Sequence, residues 1–137
     1  MKKLYIGCAI LNLSNIERKE FFEKLEALKN KLKNRFDILD FVMDKDATPK
    51  EVYTHDIKGN VAIADFMLAI CDGASTGMGY EMATAIEKRG IPVLAVALKG
   101  NKVSKIVLGI QNENFSFQIY EKFEDIADMA TEYFSKY

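Results

Sequence analysis

The segment Ser75-Thr76-Gly77-Met78-Gly79-Tyr80-Glu81 sets a hydroxyl, two glycines and a carboxylate close together. It begins within a loop of small residues, Asp72 to Thr76, that follows an apolar run, Phe66 to Cys71. A helical pattern comes next, with Met82, Ala85 and Ile86 facing inward. In an open α/β sheet, ligands bind at such a place, beyond the carboxyl end of a strand and beside the next helix. The pattern puts Gly77, Gly79 and Glu81 in the first helical turn, where free amides favour a carboxylate by up to ~1 kcal/mol. Glu81 is therefore expected to stay ionised at neutral pH. A carboxylate held this way suits attack on the anomeric carbon of a sugar, because the transition state carries positive charge on the ring. Gly77 and Gly79 would let the backbone approach a ribose or phosphate. The alternative is that Glu81 only stabilises a helix start. The two glycines do not make the dinucleotide fingerprint, which needs a third.

Positioning such a carboxylate requires a sheet, and the rest of the chain supplies one. Leu4 to Leu11 is a nearly continuous apolar run suited to a central strand. Ser14-Asn15-Ile16-Glu17 has the form of a capping box, and Phe21, Leu25, Leu28 and Leu32 recur behind it at helical spacing. Phe36 to Val42 reads as a second strand, placed at an edge by its two aspartates. After a polar loop, Met43 to Ala47, a second box at Thr48-Pro49-Lys50-Glu51 opens a helix reaching about Ala64. Its expected core contacts are Val52, Ile57, Val61 and Ile63. The helix after Glu81 stops at Arg89, with Gly90 in the left-handed position and Pro92 beyond. Ile91 to Leu98 is the most apolar strand. A turn at Lys99 to Lys102, a short helix at Val103 to Leu108, a fifth strand at Phe115 to Tyr120 and a last helix follow. The last helix has Phe123, Ile126, Ala127, Ala130, Tyr133 and Phe134 on its apolar face.

This alternation implies a single-domain α/β fold with helices on both faces of a five-stranded parallel sheet. The simplest arrangement is flavodoxin-like (Rossmann-like), order 2-1-3-4-5, with its switch point between strands one and three. Residues from Tyr5 to Asn12 and from Gly73 to Glu81 would then frame one crevice.

Composition narrows the function classes. The 137 residues are 49% hydrophobic and 28% charged, as in an ordinary globular domain. Lys plus Arg number 19 against 20 Asp plus Glu, a net charge of -1, so no general electrostatic force draws the chain to nucleic acid or an anionic membrane. No segment approaches the roughly 20 apolar residues that cross a bilayer, and the N-terminal run lacks a signal cleavage site. A cytoplasmic protein is expected. Cys8 and Cys71 read as buried reduced thiols, with a disulfide as the alternative because their strands would be neighbours. No cluster of metal ligands stands out, and neither a metal nor a cofactor is expected. His55, the only histidine, lies beside Asp56 rather than a helical turn away, so their side chains should diverge, with His55 at the surface.

The motif from Ser75 to Glu81, behind Ala64-Asp65 and a strand and ahead of Pro92-Val93-Leu94, resembles the signature of the nucleoside 2-deoxyribosyltransferase superfamily, which includes 2'-deoxynucleoside 5'-monophosphate N-hydrolases. The similarity runs over nearly all of residues 1–137, taken as one domain, and is strongest from Tyr53 to Leu98. It implies cleavage of the N-glycosidic bond of a 2'-deoxyribonucleoside or its 5'-monophosphate through a covalent deoxyribosyl intermediate. The sugar then passes to another base or to water.

The resemblance gives Glu81 the part of nucleophile and Tyr5 that of a hydroxyl orienting it. Asp56 matches an aspartate that helps protonate the departing base; without the resemblance, Tyr5 reads as a core aromatic and Asp56 as a solvated helix residue. Gly7, Ala9 and Ile10 after strand one, with Ser75, Gly77 and Gly79, match substrate-binding positions. Ser104 matches a serine offered to the phosphate across a dimer interface, which implies at least a homodimer. Ser75 and Ser104 point to a nucleotide. Against that, the hydrolases carry a Gly-Ser-Ile-Arg segment where this chain has Cys8-Ala9-Ile10-Leu11, so the arginine fork is missing, and a lysine such as Lys102 or Lys105 cannot reproduce it. That altered loop motivates one rival, a catalytically silent nucleotide-binding module, and a third option is a flavodoxin-like receiver or flavin protein. The receiver lacks its acidic cluster after strand one.

Overall fold

Phe66, Met67, Leu68, Ala69 and Ile70 are all buried, and this run is the middle strand of the sheet. The computed structural model describes residues 1–10 and 12–137, so the expected strand end at Leu11 lies outside the described residues. The elements are β1 (Lys2–Cys8), α1 (Asn15–Leu32), β2 (Phe36–Asp40), α2 (Pro49–Tyr53, prolonged by a π-helical segment Thr54–Val61) and β3 (Phe66–Ile70). There follow α3 (Thr76–Ala83, prolonged by a π-helical segment Thr84–Arg89), β4 (Val93–Leu98), α4 (Lys105–Leu108), β5 (Phe115–Tyr120) and α5 (Ile126–Phe134), the last entered through a 3₁₀ turn at Phe123–Asp125. All neighbouring strands are parallel, in the order β2-β1-β3-β4-β5. The expected fold is the observed one.

α1 and α5 pack together on one face of the sheet, and α2 and α3 lie on the other. Burial follows from the residue pattern: β3 and β4 are covered from both sides, so they carry no polar side chain. Phe66 stacks on Phe134 of α5 at 4.7 Å and meets Phe36 of β2 edge-on at 6.1 Å, which closes the α1/α5 side.

The Ser14 box is complete: Ser14 Oγ accepts from the Glu17 amide and the Glu17 carboxylate accepts from the Ser14 amide. Only half of the second box forms, with Thr48 Oγ1 accepting from the Glu51 amide. Gly90 takes φ 65°, as its stop position requires. Arg89 then donates to the carbonyls of Ala62 and Ala64, tying the end of α3 to the end of the α2 segment.

Two expectations about α2 fail. Val52 and Ile63 are exposed, and the inward residues are Asp56, Asn60, Val61 and Ala64. Val52 lies in Pro49–Tyr53, a stretch that buries no residue, and for Ile63 the cause is the helical register. From Thr54 the chain winds with i→i+5 bonds, as in Ala62 N–H to Ile57 C=O at 2.8 Å, and the wider turn rotates the inward face away from the 3.6-residue stripe. β2 ends at Asp40 rather than Val42 and is an edge strand as its aspartates implied. Asp40 pairs at 2.7 Å with Lys29, a lysine that α1 buries almost completely.

Candidate active site

Tyr5 lies in the interior of β1, wholly buried, and its hydroxyl donates to Glu81 Oε2 of α3. The two residues meet because β1 and β3 pair directly, with Tyr5 beside Met67, and α3 packs over both strands. Gly7, two residues further along β1, makes room for the carboxylate. A Cβ there would sit 3.0 Å from Met67 Cε, 3.4 Å from Glu81 Oε1 and 3.6 Å from the Tyr5 ring. Gly7 thus leaves the space into which the end of Met67 and the Glu81 carboxylate pack.

Glu81 does not stand in the first turn of its helix. α3 begins at Thr76, capped by Ser75 Oγ accepting from the Met78 amide, which puts Glu81 in the second turn and beyond the free amides. Only 9% of Glu81 is exposed. Burial raises its pKa to about 7, against the lowering effect of the Tyr5 hydrogen bond and with a further push from the charge of Asp56. The expectation of a fully ionised Glu81 at neutral pH is therefore corrected: desolvation outweighs the helix dipole, and the group is poised near neutrality. Tyr5 is driven well above the ordinary phenol range, by burial first and then by Glu81, so it stays a donor.

Asp56 comes to the same place from the π-helical part of α2. It is buried, and its charge acts on both Tyr5 and Glu81. Asp56 Oδ1 accepts from the Val42 amide and contacts His55 Nδ1, each at 2.9 Å. The expected divergence of His55 and Asp56 is corrected, since the wider turn reduces the angle between successive side chains. His55 is at the surface, as expected, with 52% of its side chain exposed.

The other candidates divide into two groups. Ala9 and Ile10 lie just past β1, and a Cβ on Gly73 would sit 3.6 Å from the Ala9 side chain, so the loops after β1 and β3 adjoin. Ser75 caps α3 at the crevice. Neither Gly77 nor Gly79 is demanded by packing within the chain: a Cβ on Gly79 meets nothing within 4 Å, and one on Gly77 meets only Ser75 Oγ at 3.9 Å. Ser104 is not brought to this group. It is exposed, caps α4 by accepting from the Ile106 amide, and lies beyond β4.

Asp72 is a residue that sequence reasoning passed over as part of a small-residue loop. Its Oδ1 accepts from the Leu98 amide at 2.7 Å, its Oδ2 from the Tyr120 hydroxyl, and its backbone carbonyl from Asn101 at 3.3 Å. It binds the ends of β3, β4 and β5 to one another and so holds the loop that leads to Ser75. An aspartate directly after a buried strand was the available signal. Cys8 and Cys71 are free thiols, and burial pushes Cys71 up to about 12. Among the described residues no group of three or more His, Cys, Asp or Glu side chains is placed to hold a metal, and no helix is long and apolar enough to cross a membrane. The open grooves along α1 are lined by solvated charges and hold no buried titratable pair comparable to Tyr5 and Glu81.

The chain matches no protein-family model, and no curated protein is similar to it in sequence. Solved structures do match. The lysine decarboxylase LdcF of Francisella novicida superposes with a TM-score of 0.55 at 14% identity, over 98% of this chain but only 17% of that one. The CMP N-glycosidase BcmB of Clostridium botulinum superposes with a TM-score of 0.72 at 16% identity, over 96% of this chain and 99% of that one. At such identities the likeness is one of fold, and with BcmB it extends over essentially the whole of both chains.

Proposed function

We propose that the protein cleaves the N-glycosidic bond of nucleosides or their 5'-monophosphates, in the manner of the nucleoside 2-deoxyribosyltransferases and nucleotide N-hydrolases. The observation that carries this reading is the buried Tyr5–Glu81 pair above Gly7, with Asp56 beside it. The whole-chain likeness of fold to a CMP N-glycosidase supports it.

In this reading Glu81 Oε1, which has no hydrogen-bond partner among the described residues, attacks C1' while Tyr5 holds Oε2. The C1'–N bond breaks, its electron pair passes to the base nitrogen, and Asp56 supplies the proton that the departing base needs; such help is typically worth 10²- to 10⁴-fold. Water or a second base then takes the sugar from Glu81. Gly7, Ala9 and Ile10 line one side of the substrate, and Ser75, Gly77 and Gly79 meet its 5' end. Ser104 reaches the phosphate from a second copy of the chain. The exposed Ile106 and Leu108, on the helix that Ser104 caps, favour a homodimer at that face.

The test is to incubate the protein with 2'-deoxynucleosides, their 5'-monophosphates and CMP, each with and without a free acceptor base, and to separate the products. Release of base by wild type, abolished in Glu81→Gln, is expected. Release at the wild-type rate in that variant would rule out the covalent role. Tight nucleotide binding without any turnover would favour instead the silent binding module, to which the loss of the arginine after β1 also points.

A further inference from the structure

Asp56 lies in the interior while the ring beside it meets solvent, and this asymmetry suggests a use for the single histidine. Asp56 Oδ1 has two partners, the Val42 amide and His55 Nδ1, each at 2.9 Å. Oδ2 has none among the described residues. His55 Nδ1 also lies 3.4 Å from Asn60 Nδ2, but that amide donates to the Asp40 carbonyl at 2.7 Å. The shorter contact to a carboxylate oxygen therefore sets the tautomer: Nδ1 carries the hydrogen and donates it to Asp56. The imidazole also lines an open groove with Val42, Thr48, Lys50, Glu51 and Thr54, so its other nitrogen is in reach of bulk water. The titratable groups that face Asp56 from the other elements are Tyr5 of β1 and Glu81 of α3, and neither hydrogen-bonds it.

We propose that His55 is the positioning residue of the leaving-group acid: with the Val42 amide it clamps Asp56 Oδ1, leaving Oδ2 as the oxygen that delivers the proton to the departing base. This rests on the glycosidase reading above. Asp56 takes up a proton from water at Oδ2, the oxygen left free, and as the C1'–N bond breaks it passes that proton to the base nitrogen that receives the electron pair, returning to the carboxylate whose charge acts on Tyr5 and Glu81. The His55 and Val42 N–H groups stabilise that charge, since hydrogen bonds to an ionised acceptor are roughly twice as strong as neutral ones.

The experiment compares a nucleotide whose base leaves only with a proton against its ring-methylated derivative, N7-methylguanine or N3-methylcytosine, which departs without one. His55→Ala should lower kcat about 10- to 100-fold on the unmethylated substrate with little change in KM, consistent with loss of one charge-assisted hydrogen bond. It should act at nearly the wild-type rate on the methylated one. His55→Asn, whose amide nitrogen can occupy the Nδ1 position, should recover most of the loss. Equal losses on both substrates, or none on either, would overturn the role. A second readout does not depend on turnover: the one histidine should show the Nδ1–H tautomer by ¹⁵N NMR in wild type and revert to Nε2–H in Asp56→Ala, which removes the acceptor. An Nε2–H tautomer in wild type would refute the clamp. No base release by wild type from either substrate, with the Nδ1–H tautomer present, would instead sink the glycosidase reading and the catalytic role with it, leaving the contact intact.

Discussion

The Tyr5 hydroxyl donates to Glu81 Oε2 across the junction of β1 and α3, and both groups are shut away from water. The phenol favours the ionised carboxylate and burial favours the protonated one. Burial wins, and Glu81 titrates near about 7.

A pH profile follows from that balance. A nucleophilic carboxylate must be ionised, so the rate of base release should rise with pH through about 7 and then level off. Tyr5→Phe removes the one hydrogen bond that lowers the Glu81 value, so the rising limb should move to higher pH as the maximum falls. Initial rates of base release between pH 5 and pH 9 check both.

The same group makes stability depend on pH. Its folded value of about 7 lies above the unfolded 4.5, so the folded state binds the extra proton between those values, and stability is lost as pH rises from about 4.5 to about 7. Glu81→Gln removes the buried charge and retains an acceptor for Tyr5. It should therefore match wild type near pH 4 and be more stable at pH 8, by up to about 3 kcal/mol for a shift of this size. Urea denaturation at the two pH values decides it.

Gly7→Ala separates packing from chemistry. The new methyl would meet the flexible end of Met67 at 3.0 Å, which can move, and Glu81 Oε1 at 3.4 Å, which must stay in place. Stability should fall by about 1 kcal/mol, within the usual range for overpacking. Activity should fall about 10²-fold, because small displacements of a reacting group have effects of that order. Parallel denaturation and rate measurements show whether the two effects part.

Asp72 joins three strand ends, so its loss should be felt in the fold. Asp72→Ala leaves the Leu98 amide without its partner and should cost about 1–3 kcal/mol, whereas Tyr120→Phe removes one hydroxyl and should cost about 1 kcal/mol. Denaturant midpoints test the ranking. Equal effects would mean that Tyr120 alone carries the junction.

Ile106, with 82% of its surface exposed, is the most exposed large apolar residue of α4. If Ser104 works across a dimer, Ile106→Asp should give a monomer by sedimentation and a higher KM for 5'-monophosphates, with unmodified nucleosides little affected. A wild-type monomer would remove Ser104 from the site.

By itself the sequence determined the elements and their order, because local rules suffice for them. Continuous apolar runs mark strands covered on both faces, the Ser14 box starts a helix, and Gly90 followed by Pro92 ends one. It also singled out Glu81, Tyr5 and Asp56, through a motif and a resemblance. Tertiary structure decided how those groups behave. Glu81 looked like an ionised helix-start carboxylate, but neighbours from β1 and α2 bury it, and desolvation is a property of everything packed around a group. The exposure of Ile63 and the contact of His55 with Asp56 both follow from the i→i+5 winding of Thr54–Val61, which 3.6-residue periodicity does not announce. Lys29 reads as one more charge on α1, and only the edge position of β2 brings Asp40 within 2.7 Å of it.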